Sequence, residues 1–336
     1  MSWRRNAHYA SVVVTVLLLA VILARVDLVK LARAFHGIIG SWVVGVFFLN
    51  VLNTWVEAFR WRLILSSVKR ETRTLNTFGA LLVGVAGNTI LPLRLGDGAR
   101  AYFLARREGI SAASSLGTVT LDRIMDVTFF LILVALAGFF FKFSPVVRRT
   151  EVFAAAAVVV AIAILAVLVR FGPRFRIRFP GRTRGRVFEW THRFALGLTS
   201  LKKAGVLVPV SVLSAFSWGL RLLMIAAMFR AFRFDLPGVA AVVVLIFVNL
   251  GIAAVSTPAN LGSFELSMLA GFSLFGADTE RALSCAIVFH AVEVVPMVLM
   301  ALGALSLSGI RSHDLLGRKA PAFRAAADDT EEVAGL

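Results

Sequence analysis

The chain has 336 residues, 59% of them hydrophobic and only 16% charged, with a mean hydropathy of +0.84. A soluble domain of this size needs a polar surface that such a composition does not supply, so the chain reads as an all-α, polytopic integral membrane bundle. Its 36 Lys and Arg against 19 Asp and Glu give a formal charge of +17. These charges fall in short loops between apolar stretches, which points to the positive-inside bias and anionic headgroups rather than to nucleic acid.

A helix needs roughly 20 apolar residues to cross a bilayer. In chain order, spans are expected at 9–24, 38–58, 125–141, 152–169, 206–229, 239–256 and 282–307. The first resembles a signal peptide but lacks a small-x-small cleavage site before Arg25, so it reads as an uncleaved span. Two further apolar stretches, 78–91 and 264–275, are short and interrupted, and read as half-helices or re-entrant segments. If 264–275 completes a crossing, the count is about eight.

Basic residues flank the spans at Arg4 and Arg5, at Arg60 to Arg73, and throughout 171–203. These regions share one side, assigned to the cytoplasm, if 78–91 dips in and returns. Arg311, Arg318 and Lys319 put the C-terminus on the same side of a cell (inner) membrane. The expected domain is 1–310, with halves of about 1–170 and 204–310 joined by the basic loop 171–203. Within that loop 187–201 has helical apolar spacing, which suits a surface-lying helix or a linker helix packed on other loops. An acidic, Ala-rich tail at 311–336 reads as disordered and cytoplasmic.

Two breaks interrupt the apolar pattern. The first holds Asn88, Pro92, Arg94, Gly96, Asp97, Gly98 and Arg100; the second holds Pro258, Asn260, Gly262 and Glu265. Pro92 to Gly96 and Pro258 to Gly262 have the same spacing. Lipid tails cannot satisfy broken backbone, so such segments persist only where they pack in protein or line a wet cavity. Matched breaks in two halves suggest an inverted repeat with a midplane site for a polar or anionic substrate.

Arg94 and Arg100 offer planar forks that match a phosphate, Asn88 and Pro92 end a helix and free carbonyls, and Gly96 and Gly98 permit close backbone approach. The plainer alternative is a basic loop in which Arg94, Asp97, Arg100, Arg106 and Arg107 obey the positive-inside rule. Asp122 and Asp126 are four apart, share a helix face with Arg123 beside it, and open the third long span. They read either as a fixed salt bridge or as a network that neutralises the arginines of the first break. Asp97 and Glu265 complete the expected supporting charge network, although helix capping alone explains a carboxylate at Glu265.

His290 and Glu293, three apart in the last span, are secondary candidates because ionisable residues in a span are functional by default. A hydrogen-bonded packing pair is the competing account, and two residues do not make a metal site. Glu57, Arg60 and Trp61 close the second span; Arg60 is a further candidate, and Trp61 reads as an interfacial anchor. The single cysteine, Cys285, excludes an intrachain disulfide and a cysteine metal cage. No phosphate-binding loop, nucleophile elbow or zinc-protease motif occurs, so neither a cofactor nor a catalytic residue is expected.

Arg60-Trp61, then Asn88-x-x-x-Pro92-x-Arg94-x-Gly96-Asp97-x-x-Arg100-Ala101, then Asp122-Arg123-x-x-Asp126, then Pro258-x-x-x-Gly262-x-x-Glu265 stand in that order. Together they resemble the flippase-like membrane domain of lysylphosphatidylglycerol synthases, over roughly 12–307. The resemblance departs at Asp122, where glutamate is more usual. It implies about eight spans and a role in moving anionic or polyprenyl-phosphate-linked lipids, sometimes beside a glycosyltransferase. Bifunctional members carry a C-terminal aminoacyltransferase domain for which 336 residues leave no room, so synthase activity is not expected. Two other classes stay open: an intramembrane transferase using Asp97 or Glu265 as base on a lipid phosphate, and a non-catalytic subunit docking an enzyme on the basic loop.

Overall fold

The computed structural model describes residues 27–90, 96–140, 204–255 and 257–308, with five isolated helical positions at Val16, Leu18, Arg193, Phe194 and Gly197. The expected spans at 9–24 and 152–169, the centre of the first break at 91–95, nearly all of the loop 171–203 and the tail 311–336 lie outside them. Among the described residues every regular element is helical. They are α1 (Leu28–His36), α2 (Gly40–Leu65), α3 (Thr74–Ile90), α4 (Gly96–Glu108), α5 (Ala112–Phe140), α6 (Ala204–Ala231), α7 (Gly238–Ala254), a 3-10 turn (Pro258–Asn260), α8 (Ser263–Ser273) and α9 (Thr279–Ser308). By length and composition, α2, α6 and α9 are able to cross a membrane, and α7 is a shorter apolar helix.

The boundaries correct the sequence reading in three places. Asp122 does not open a helix: α5 starts ten residues earlier, at Ala112, in a segment whose Ser and Thr residues interrupt the apolar run but not the helix. The first break is narrower than expected, since Gly96 and Asp97 already begin α4. And α1 is an amphipathic helix that hydropathy alone passed over. Asp27 starts it, with Oδ1 accepting from the Val29 and Lys30 amides at 2.9 and 3.1 Å.

Two compact units form, each drawing on separated stretches of chain. The first takes the described residues of Met1–Asn53, Val85–Gly96 and Trp218–Met300; the second takes those of Thr54–Gly84, Asp97–Ser217 and Ala301–Leu336. In the first, Phe229, Phe234 and Phe272 form an aromatic cluster with centroids 4.8–6.0 Å apart. There α7 and α8 pack closely because Gly271 has no side chain: a Cβ on it would lie 2.9 Å from Val244 Cα. In the second, Trp61, Ile64, Leu65, Leu82, Leu104 and Leu121 are buried, and Trp55 stacks on Phe78 at 4.3 Å.

Pro296 lies inside α9, where it denies the Val292 carbonyl its usual amide donor. The Asn50 side chain supplies the replacement, with Nδ2 donating to the carbonyls of Val292 at 3.2 Å and Glu293 at 3.1 Å. In an apolar setting an orphaned carbonyl is costly, so this one amide makes the proline tolerable.

In the second unit, Glu108 at the end of α4 gathers the start of α3. Its carboxylate accepts from Asn76 Nδ2 at 2.7 Å, Lys69 Nζ at 2.9 Å and the Arg73 amide at 3.1 Å. Burial pushes the Glu108 carboxyl up, but these donors outweigh it and hold the group below its ordinary 4.5.

Three outcomes follow. Gly271→Ala lowers the thermal midpoint in detergent, by the ~1–3 kcal/mol of an overpacked contact, whereas Gly303→Ala, whose Cβ meets open space, does not. Asn50→Leu costs about 1–3 kcal/mol by stranding the Val292 carbonyl, and a double-mutant cycle shows a smaller loss in a Pro296→Ala background. Because the folded pKa of Glu108 is depressed, its stabilisation is present at neutral pH and fades as pH falls through the folded value below 4.5. Glu108→Gln therefore lowers stability at pH 7 and flattens the acid limb of a stability-against-pH curve.

Candidate functional site

Each unit holds a polar constellation inside apolar helices. In the second unit it centres on Asp122, midway along α5 and 1% exposed. Arg60 on α2, itself wholly buried, donates from Nε to Asp122 Oδ1 at 3.0 Å and from Nη1 to Asp126 Oδ1 at 2.7 Å and Ser214 Oγ at 3.2 Å. Arg100 on α4 donates from Nη2 to Asp122 Oδ2 at 2.6 Å. Arg123 forks onto Asp97, with Nε to Oδ2 at 2.9 Å and Nη2 to Oδ1 at 2.6 Å. Three arginines and three aspartates thus balance. A spacing of four residues, about one helical turn, explains the scaffold: Asp122 and Asp126 lie on one face of α5, so a single guanidinium reaches both.

Trp61 belongs to this cluster and corrects its reading as an interfacial anchor. It is fully buried, donates from Nε1 to Thr118 Oγ1 at 3.1 Å, and lies 4.1 Å beneath the Arg100 guanidinium. A tryptophan needs the membrane interface only when its indole N–H has no internal acceptor, and here Thr118 provides one.

Of the residues expected to bind a phosphate, Arg100 is 2% exposed and engaged with Asp122 and Trp61. Asn88 spans the first break, its Oδ1 accepting from the Gly96 amide at 2.9 Å, and so caps the start of α4. Pro92 and Arg94 lie outside the described residues. The structure therefore joins Asp97, Asp122, Arg123, Asp126, Arg60 and Arg100, while Glu265 belongs to the first unit.

There the second break is well defined. Ala259 and Asn260 adopt positive φ (52° and 57°), as does Gly262 (79°). For the first two this left-handed backbone costs ~1–2 kcal/mol per residue and needs support. Side chains supply it: Thr257 Oγ1 donates to the Leu261 carbonyl at 2.9 Å, and Ser263 Oγ donates to the Asn260 carbonyl at 3.0 Å. Glu265 Oε2 reaches back to accept from the Gly262 amide at 2.7 Å, half of a capping box.

His290 on α9 faces this break. Its Nδ1 lies 2.6 Å from Glu265 Oε1 and its Nε2 lies 2.9 Å from the Ala259 carbonyl, with Phe264 stacked on the ring at 4.4 Å. The i,i+3 spacing matched His290 with Glu293, but its hydrogen bonds run to the break instead. Glu293 lines a cavity of about 120 Å³ together with Arg221, Asn249, Asn260, His290 and Phe264.

The sequence reading gave no role to Arg221 or Asn249, and it placed Asn260 in the second break without one. The signal for Arg221 was present: an arginine 17 residues into α6 is a charge inside a span, which is a functional marker by default. Its guanidinium lies 5.1 Å over the Trp218 ring. Asn249 carried no signal, because a lone amide in an apolar helix usually bonds its own backbone, as it does to the Leu245 carbonyl.

Residues 9–303 match the family described as the lysylphosphatidylglycerol synthase TM region. The chain belongs to that family. Its similarity to curated proteins runs the same way. A UPF0104 membrane protein of Methanothermobacter thermautotrophicus is 24% identical over 274 residues, 74% of this chain and 80% of that protein. A UPF0104 membrane protein of Methanocaldococcus jannaschii is 27% identical over 121 residues, spanning 35% of this chain and 36% of that protein. Glycosyltransferase AglD of Haloferax volcanii is 26% identical over 135 residues, 40% of this chain but 21% of that protein. A multi-pass membrane protein of this family, with its apolar helices interrupted by two polar constellations, is what the chain is.

The two constellations differ in what their loss costs. Arg60→Ala leaves Asp122 and Asp126 buried without their shared partner and destabilises the protein by about 3–5 kcal/mol, read as loss of monodisperse yield and thermal midpoint. Asp97→Ala removes a partner of the half-exposed Arg123 and costs under about 1 kcal/mol.

Proposed function

We propose that this protein translocates or handles an anionic lipid or a polyprenyl-phosphate-linked intermediate, with the phosphate entering the cavity beside the second break while the tails stay in lipid. The observation that carries this reading is Arg221, a cation placed within an apolar helix on a cavity that also holds the Asn249 and Asn260 amides. A guanidinium matches two phosphate oxygens at once, and amide N–H groups take the remainder. Glu293 sets the opposing field and favours release as well as entry.

The arginines of the first break divide by role in this reading. Arg94 is offered to the same headgroup chemistry, whereas Arg100, held by Asp122, positions α4. Asn88 and Gly96 keep the break open at the point where α4 begins. The cluster of Asp97, Asp122, Arg123 and Asp126 is scaffold, and neither a catalytic residue nor a cofactor takes part. About eight spans, an inverted repeat relating the two breaks, and a cell-membrane location with cytoplasmic N- and C-termini complete the proposal.

A second reading has one observation in its favour, the similarity to glycosyltransferase AglD over 135 residues. In it, the chain is the membrane subunit that presents a lipid-linked substrate to a glycosyltransferase docked on the basic loop 171–203. Crosslinking from that loop to one stoichiometric glycosyltransferase supports it over a self-sufficient transporter.

The test is reconstitution into liposomes that contain a fluorescent anionic phospholipid or polyprenyl phosphate, with an impermeant quencher reading exposure on the outer leaflet. Wild type moves the lipid across, and Arg221→Leu slows this about tenfold or more, the worth of ~1.5–3 kcal/mol for a charged hydrogen-bonded contact. Gly303→Ala leaves the rate unchanged. Equal rates for wild type and Arg221→Leu with every anionic lipid overturn the proposal.

A further inference from the structure

His290 is set between two oxygen acceptors, the Glu265 carboxylate at Nδ1 and the Ala259 carbonyl at Nε2. A neutral imidazole carries one N–H and one lone pair, so it donates to only one of them. Satisfying both contacts takes one proton more than a neutral histidine beside an ionised glutamate holds. That proton either makes His290 an imidazolium or resides on Glu265 Oε1, which then donates to Nδ1 while Nε2–H donates to Ala259. Without it, a nitrogen lone pair faces an oxygen lone pair at hydrogen-bond distance, and one of the two contacts must open.

We infer that the His290–Glu265 pair is a proton-binding site that latches the Thr257–Gly262 break, so that loss of one proton frees the break and opens the cavity it borders. The latch acts on a segment already under strain. Ala259, whose carbonyl His290 grips, has φ 52°, and Asn260 beside it has φ 57°. Once the Nε2 contact is lost, the Thr257, Ser263 and Glu265 side-chain bonds and the backbone bonds from the Asn260 and Leu261 amides to the Thr257 and Pro258 carbonyls are left to hold this left-handed backbone. Asn260 and His290 both line the cavity, so a movement here changes access to Arg221.

The charged residues that line the cavity beside the pair are Glu293 and Arg221. Glu293 lies one helical turn along α9, Arg221 lines the same cavity from α6, and Glu265 itself comes from α8; α7 contributes only the Asn249 amide. Phe264 covers one face of the imidazole, so the proton exchanges with water on the cavity side. As a gate on a lipid headgroup, the latch rests on the function proposed above. As a proton site, it stands on the geometry alone.

The experiment uses the purified full chain in detergent, without substrate. Cys285 is the only cysteine and is buried, so Cys285→Ala provides a background in which Ala259→Cys reports the break. Its labelling by a small thiosulfonate, corrected for thiolate fraction with an exposed cysteine, is followed from about pH 5 to about pH 9. A closed state that holds one extra proton requires labelling to rise about tenfold per pH unit beyond the midpoint. Glu265→Gln abolishes the dependence: a glutamine N–H donates to Nδ1, a neutral His290 still donates to Ala259, and labelling stays low throughout.

Nitrogen NMR of histidine-labelled wild type, assigned with His290→Gln, follows the same proton without a cysteine. Expected is a doubly protonated ring, or a ring that accepts at Nδ1 from a protonated Glu265, converting in step with the labelling. Labelling that is flat with pH in the Glu265 protein, or a Glu265→Gln variant that keeps the full dependence, overturns the latch. A pair that shows no protonation change over the range overturns the proton site. Should both readouts behave as expected while no anionic lipid moves in liposomes, the latch stands and the transport reading falls.

Discussion

A carboxylate withdrawn from water deep within helical packing is tolerable only when cations and donors surround it, and Asp122 is the point on which the second unit turns. It sits 1% exposed between the guanidinium groups of Arg60 and Arg100. That single requirement draws α2, α4 and α5 together, brings Asp126 into the same fork, and lays Arg100 over Trp61. The desolvation cost of so many buried charges approaches or exceeds their attraction, so what the cluster secures is one arrangement of helices rather than stability as such. Its balance of three arginines with three aspartates also means that these cations are largely engaged by the carboxylates beside them.

The first unit answers a different constraint, that backbone inside an apolar medium must not be left unbonded. Two of its departures from regular helix are met by side chains. Asn50 serves the carbonyls that Pro296 leaves in α9, and Thr257, Ser263, Glu265 and His290 serve the turn between α7 and α8. The difference between them is instructive. Asn50 is a neutral amide whose bonding is indifferent to pH, whereas His290 and Glu265 hold their turn through a titratable pair. A permanent repair and a conditional one thus occur within the same unit, and the conditional one adjoins the cavity that carries Arg221.

Membership of the lysylphosphatidylglycerol synthase TM region family places these constellations in a lineage of membrane domains. The division of labour among arginines gives that membership physical content. Arg60 and Arg100 are structural forks in a neutral cluster, while Arg221 lines open space beside amides and a strained turn.

Hydropathy and the few charges within apolar runs were enough, by themselves, to settle that this is an all-helical membrane protein, where its two helical interruptions fall, and that Asp122 and Asp126 share a face. These are properties of local pattern: a period, a composition, a proline or glycine at a fixed offset. Tertiary structure alone decided which charges meet. Arg60 looked like the end of a span and proved to bridge Asp122 and Asp126 inside the cluster; Trp61 looked interfacial and is buried under Arg100; His290 pairs with Glu265, 25 residues away, rather than with Glu293 on its own helix. The start of α5 at Ala112 was hidden for a different reason, since hydroxyl residues stay helical by donating to the helix's own carbonyls, as Thr118 does to Ser115 and Thr120 to Leu116. Partners distant along the chain leave no trace in its periodicity, because a buried charge records in the sequence only that it needs a counterpart, and not from which helix that counterpart comes.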